Sequence, residues 1–244
     1  MKTALNGLKT VFLCFLCTDF WTDLLALSTF YLLSIGYHSM KKSFWALVGL
    51  VSLTWGCTPP AVSTEEDLTQ YVNPFIGTDF TGNTYPGAQL PFGMVQLSPD
   101  NGLPGWDRIA GYYYPDSTIA GFSHTHLSGT GAGDLYDISF MPVTLPYVEA
   151  ASPLGIHSKF SHEKESASAG YYQVFLEDYG INVELTATER CGIQRYTFPE
   201  AQSAIILNLK KAMNWDATQD SYVEVVDSVT IRGYRFSDGW ARNQ

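Results

Sequence analysis

The sequence is short of positive charge and of cysteine, and it lacks helical hydrophobic patterning beyond its N-terminal region. Its 244 residues hold 14 Lys+Arg against 24 Asp+Glu, a formal charge of -10. The positive residues never gather into a stripe that could neutralise a phosphate backbone, so nucleic acid is excluded as a partner. Of the 4 cysteines, Cys14, Cys17 and Cys57 fall in the first 57 residues, which leaves Cys191 alone afterwards and rules out a disulfide framework. Cys14-x-x-Cys17 sits among Phe and Leu without a second ligand pair, so it reads neither as a zinc site nor as a redox motif. Cys191 has no base beside it and reads as filler rather than nucleophile. No G-x-S-x-G elbow and no Walker lysine are present. The glycines of Ser128-Gly-Thr-Gly-Ala-Gly-Asp134 do not match a dinucleotide fingerprint.

What the sequence does contain is 45% apolar and 14% aromatic residues with 21 Gly and 12 Pro, the composition of a folded, turn-rich domain. Residues 40–57 have the layout of an export signal: Met40, then Lys41 and Lys42, an apolar stretch from Phe44 to Trp55, Gly56 and Cys57. The stretch is too short for a stable transmembrane helix. A Cys after a small residue resembles a bacterial lipobox, although Thr54 stands where a Leu is usual. The expectation is lipidation at Cys57 and an exported lipoprotein of the periplasm or cell surface, held to the outer membrane by its lipid anchor. Residues 1–39, with a second apolar stretch from Leu24 to Tyr37, are expected to be an extra extension upstream of a true start at Met40. Residues 58–69 are Pro, Ser, Thr and Glu rich and read as a spacer.

From residue 71 to 135, Gly, Pro, Asn and aromatic residues recur so densely that irregular loops between short strands are expected. After residue 169 the pattern becomes alternating, with Ile181, Val183 and Leu185 on one face. Asp178-Tyr179-Gly180 reads as a hairpin turn between two such runs. Antiparallel sheets stacked face to face are the simplest way to bury these residues. The sequence stops at Gly-Trp-Ala-Arg-Asn-Gln244, just after a strand, as if within a domain.

Three constellations could carry chemistry. His124 and His126 share a face of an extended chain and could hold a metal with Asp134 or Asp137, a metallohydrolase reading that rests on a common H-x-H spacing. Carboxylates for glycoside hydrolysis could come from Asp100, Asp107, Asp116, Asp134, Asp137 or Glu189, but no pair stands out. Trp106, set in turn-rich sequence beside Asp107 and Arg108 and followed by Tyr112, Tyr113 and Tyr114, is a better-motivated platform. Sugars stack their C–H faces on aromatic rings and need bidentate polar partners for their hydroxyls. Three successive tyrosines on a strand also alternate simply between core and surface.

The ordered motifs Tyr71-Val-Asn-Pro-Phe-Ile-Gly-Thr78, Tyr85-Pro-Gly-Ala88, Pro91-Phe-Gly-Met94, Ser98-Pro-Asp100, Gly111-Tyr-Tyr-Tyr114, Gly121-Phe-Ser-His-Thr-His-Leu-Ser-Gly-Thr-Gly131, Met141-Pro142 and Gly239-Trp-Ala241 together resemble the N-terminal domain of glycoside hydrolase family 92. The resemblance spans residues 70–244. It implies an all-β antiparallel sandwich of the galactose-mutarotase (supersandwich) kind, incomplete at its C-terminus. It also implies calcium-dependent, inverting, exo-acting α-mannosidase activity on N-glycans, with α-1,2 linkages expected, as in exported enzymes of gut-type Bacteroidetes. In that family the acid, the base and most calcium contacts belong to a following (α/α)6 domain, expected to be missing here. No catalytic residue or metal ligand is therefore assigned to this chain, which is expected to be inactive alone. Trp106 is the residue expected to contact mannose, with Asp107 beside it and Gly77, Thr78, His124 and His126 on loops near the pocket wall or domain junction. The alternative is a stand-alone carbohydrate-binding surface lipoprotein.

Overall fold

The computed structural model describes residues 2–5, 10–16, 66–129, 131, 133–146, 155–209 and 216–240. The signal-like residues 40–57, with Cys57, and the spacer up to residue 65 lie outside the described residues, as do Met40 and the stretch from Leu24 to Tyr37. The described chain is almost entirely β. Its strands are β1 (Lys2–Leu5), β2 (Thr10–Leu16), β3 (Ala88–Gln89), β4 (Gln96–Asp100), β5 (Thr118–Ile119), β6 (Gly121–Ser123), β7 (Ser139–Thr144) and β8 (Ser158–Lys159), then β9 (Glu165–Ser168), β10 (Tyr171–Leu176), β11 (Ile181–Ala187), β12 (Cys191–Thr197), β13 (Ser203–Asn208), β14 (Ala217–Val225) and β15 (Ile231–Asp238). Among the described residues, helix is confined to single 3-10 turns at Leu68–Tyr71, Trp106–Arg108 and His162–Lys164.

Two antiparallel sheets carry the fold. One has the order β1-β13-β7-β6-β4-β3 and the other β2-β12-β11-β10-β9, with two small ribbons, β14-β15 and β5-β8. The expected all-β sandwich is what the chain forms. Alternation dictates the second sheet: in β10 Tyr172, Val174 and Leu176 turn inward while Tyr171, Gln173 and Phe175 face out, and in β11 Ile181, Val183, Leu185 and Ala187 turn inward. The intervening turn closes where the sequence indicates, with Gly180 at φ 65° donating its N–H to the Leu176 carbonyl at 2.8 Å. Facing residues of the first sheet, Ala88, Leu97, Phe122, Met141, Val143 and Ala204, complete one contiguous core. At roughly 25 cal/mol per Å² of apolar surface removed from water, this core is the main stabilising term.

One feature of the first 39 residues departs from the sequence reading, which gives them no place in the fold. Lys2–Leu5 pairs along β13 and Thr10–Leu16 along β12, each as an edge strand of its sheet. The run Thr-Val-Phe-Leu-Cys-Phe-Leu has the β-branched and aromatic content that suits a pleated surface, although its apolar character reads equally well as export-like.

Candidate functional site

The loops between the short strands of the first sheet converge. Gly129 N–H donates to the Asn83 carbonyl at 2.6 Å, Tyr114 N–H to the Thr78 carbonyl at 2.9 Å, and a Cβ placed on Gly131 would lie 3.0 Å from the Trp106 ring. Three sequence segments that carry candidate residues, 77–84, 105–116 and 124–138, are thus brought into one loop cluster. Trp106 opens a 3-10 turn and is 59% exposed, an unusual position for so large an apolar ring. Its turn is clamped by Arg108, which donates Nε and Nη2 to the two carboxylate oxygens of Asp116 at 2.6 and 2.5 Å and lies over the Tyr113 ring at 4.7 Å. The fork geometry of that bidentate pair fixes direction as well as distance. Asp107, in the same turn, is half-buried.

Beneath this turn lies a buried polar cluster. His126, 3% exposed, directs Nδ1 to the Gln96 carbonyl at 2.7 Å and Nε2 to Asp100 Oδ1 at 2.8 Å and Ser123 Oγ at 3.1 Å. A carbonyl only accepts, so Nδ1 carries the proton given to Gln96. Ser, His and Asp are adjacent, but Ser123 and Asp100 meet the same ring nitrogen. The relay of a nucleophilic triad, one partner on each nitrogen, is therefore not formed. The His126 ring packs on Tyr85 and Tyr136, and the Tyr136 hydroxyl donates to the carbonyl of Ile109, the residue that ends the Trp106 turn. Gly111 lies at the same point with φ 87°, where a side chain would meet Asp100, His126 and Tyr136. The segment carrying Tyr136 is itself strained: Leu135, Tyr136 and Ile138 adopt φ of 79°, 62° and 57°. Each such residue costs about 1–2 kcal/mol that the surrounding bonds must offset.

His124 is held separately. It is 1% exposed, its Nδ1–H donates to the Ile138 carbonyl at 2.8 Å, and Gln194 Nε2 donates to its Nε2 at 3.3 Å. These partners fix the neutral Nδ1–H tautomer. Burial lowers its pKa to about 4; the bond to Ile138 opposes the shift and the neighbouring His126 adds to it.

Gly77 and Thr78 stand at the edge of the cluster. Thr78 is buried, its hydroxyl donating to the Phe75 carbonyl at 2.9 Å, while half-buried Gly77 accepts from the Thr84 N–H. Tyr114, anchored by Thr78, stacks on His162 at 4.0 Å between ring centres. His162 Nδ1 meets the inward-turned Glu165 carboxylate at 2.6 Å, which also accepts the hydroxyls of Tyr112 at 3.0 Å and Tyr172 at 2.6 Å. Glu165 escaped the sequence reading. Its only local signal is the alternation of Glu-Ser-Ala-Ser, which does not reveal that a carboxylate faces inward.

The candidate residues thus divide. Trp106 is presented to solvent with Asp107 beside it, and Gly77 and Thr78 shape a bordering loop. His124 and His126 are enclosed, their ring nitrogens engaged by protein groups that position the Ile138 and Ile109 segments. Among the described residues no group of three or more His, Cys, Asp or Glu converges as metal ligands would. The His124/His126 metal constellation is not assembled.

The sequence matches, over residues 71–244, the N-terminal domain model of glycosyl hydrolase family 92. The chain belongs to that family. A family 92 α-mannosidase of Bacteroides thetaiotaomicron, solved with mannoimidazole, is 43% identical with a TM-score of 0.69, the match covering 73% of this chain and 24% of that one. An inverting family 92 mannosidase of the same organism is 30% identical with a TM-score of 0.50, over 64% of this chain and 20% of that one. An uncharacterized secreted glycosidase of Arthroderma benhamiae is 31% identical over 148 residues, 57% of this chain and 18% of that protein. The family 92 domain described here therefore spans about a quarter or less of the length of these relatives.

Proposed function

We propose that this chain is the sugar-facing N-terminal sandwich of an exported, exo-acting α-mannosidase that removes mannose from N-glycans, with α-1,2 linkages as its substrates. The observation that carries the reading is an exposed indole on a clamped turn within a family 92 sandwich, with Asp107 beside it. The Trp106 face stacks on the apolar face of a mannose ring, and Asp107 orients its hydroxyls. Gly77 and Thr78 shape the rim next to it, while His124 and His126 hold the loops that set its height.

Inverting hydrolysis needs a carboxylic acid to protonate the glycosidic oxygen and a carboxylate, about 6.5–9.5 Å away, to activate water on the opposite face. Three carboxylates in and beside the loop cluster are engaged by protein groups: Asp116 by Arg108, Asp100 by His126 and Glu165 by two tyrosines and His162. By family resemblance the acid, the base and the calcium that engages mannose hydroxyls belong to a helical domain. The role of this chain is binding and orientation, and alone it does not turn over substrate. Export follows the signal-like layout of residues 40–57 and agrees with the secreted Arthroderma relative, and the lipid anchor at Cys57 rests on that layout alone.

Saturation-transfer NMR with α-1,2-mannobiose tests the reading. Ring protons of the sugar should take up saturation from the wild-type chain, keep most of it with Trp106→Phe and lose it with Trp106→Ala. Equal transfer to Trp106→Ala would overturn the assignment.

A further inference from the structure

The outward face of the second sheet is not a plain solvated surface. Cross-strand register places Ser166, Gln173, Glu184 and Arg195 in one row across β9, β10, β11 and β12, and Phe175 and Asn182 in a neighbouring row. An open groove of about 530 Å³ runs over this face, bordered by Glu163, Lys164 and Ser166 and floored by Gln173, Phe175 and Asn182.

Its floor is preorganised. Gln173 Nε2 donates to Asn182 Oδ1 at 3.1 Å, and the Tyr171 hydroxyl donates to Gln173 Oε1 at 3.1 Å and to Glu184 Oε1 at 2.7 Å. Arg195 Nε closes the row on Glu184 Oε2 at 2.5 Å. Lys164 Nζ lies 5.1 Å over the Phe175 ring, paired at the surface with Glu177, a contact weak enough for the side chain to swing aside.

We propose that this groove is a second glycan site, which holds a neutral mannoside chain against the outer sheet. Three features select the ligand. Phe175 supplies a ring for a sugar C–H face. The paired carboxamides of Gln173 and Asn182, each with one N–H and one oxygen lone pair already engaged, keep a second N–H and lone pair for sugar hydroxyls. The charged groups around the floor are of both signs and largely paired, which suits neither a polyanion nor a polycation. Peptide addition would use an open sheet edge, whereas this is a sheet face. The choice of mannoside rests on the function proposed above; the choice of glycan rests on the groove.

Affinity electrophoresis of the full 244-residue chain in mild non-ionic detergent separates the two. Gels containing yeast α-mannan should retard the wild type, and Gln173→Ala/Phe175→Ala should weaken the apparent affinity at least fivefold with an unchanged far-UV spectrum. Should that variant misfold, Asn182→Ala alone should weaken it about threefold. Retardation by a neutral β-glucan but not by mannan, lost in the same variants, would keep the groove as a glycan site and overturn the mannoside reading. Retardation by neither polysaccharide, or retardation untouched by folded groove variants, would overturn the groove itself.

Discussion

Trp106 owes its position to a residue 25 places away. With Gly131 directly under the indole, Gly131→Val is expected to tilt the ring and lower mannobiose saturation transfer several-fold, while the thermal midpoint moves by less than about 2 °C, as for an exposed loop substitution. The platform itself was legible from a Trp amid turn residues, but its support was not, because no local rule links a glycine in one loop to an indole in another. The two histidines teach the complementary lesson. Their i, i+2 spacing does place them close together, yet each ring is claimed by protein partners drawn from other strands, which spacing does not disclose. His124 gives a pH signature. Its neutral form is favoured by folding, so its contribution is intact above about pH 6.5 and declines as pH falls towards about 4, by roughly 3 kcal/mol in all at about 1.4 kcal/mol per unit. His124→Asn, whose amide can still donate to Ile138, should flatten that part of the stability profile between pH 6.5 and 4.5 in thermal melts. A variant as pH-dependent as the wild type would remove His124 from the explanation.

Among elements, the second sheet and the β10–β11 hairpin were readable because alternation and a turn glycine suffice to specify them. The β14–β15 ribbon was readable as strands but not as an attached unit. A two-stranded ribbon is marginal by itself; it is tied to the body by Arg235, whose side chain is 2% exposed and donates to Asp137 while also holding fully buried Asp216 at the start of the ribbon, and by Trp240 N–H, which donates to Asp134 at 2.8 Å. Arg235→Leu leaves Asp216 uncompensated, a loss of about 3–5 kcal/mol. Amide exchange should accelerate in residues 217–238 before it does in β10 and β11. Glu165→Gln is the parallel test on the other side of the fold. Removing the charged acceptor for Tyr112, Tyr172 and His162 is expected to cost about 2–3 kcal/mol in urea unfolding. The edge strands β1 and β2 lay outside what patterning could assign, since pairing partners so distant in sequence are chosen by open sheet edges rather than by local propensity.

For the whole molecule, composition and charge argue against nucleic acid and a disulfide scaffold, and the ordered motifs between residues 71 and 241 carry the family. The face-to-face sheets bury the alternating residues and push the Gly- and Pro-rich segments into a loop cluster that presents the Trp106 indole. Asp116 and Asp100 there are tied into supporting bonds with Arg108 and His126, and the proposed role of the cluster is to bind and orient sugar. The most direct test is incubation of the purified 244-residue chain with α-1,2-mannobiose in the presence of calcium, with released mannose measured by anion-exchange chromatography. No mannose above the enzyme-free blank is expected; release that scales with protein concentration and disappears on substitution of a carboxylate in this chain would contradict the account.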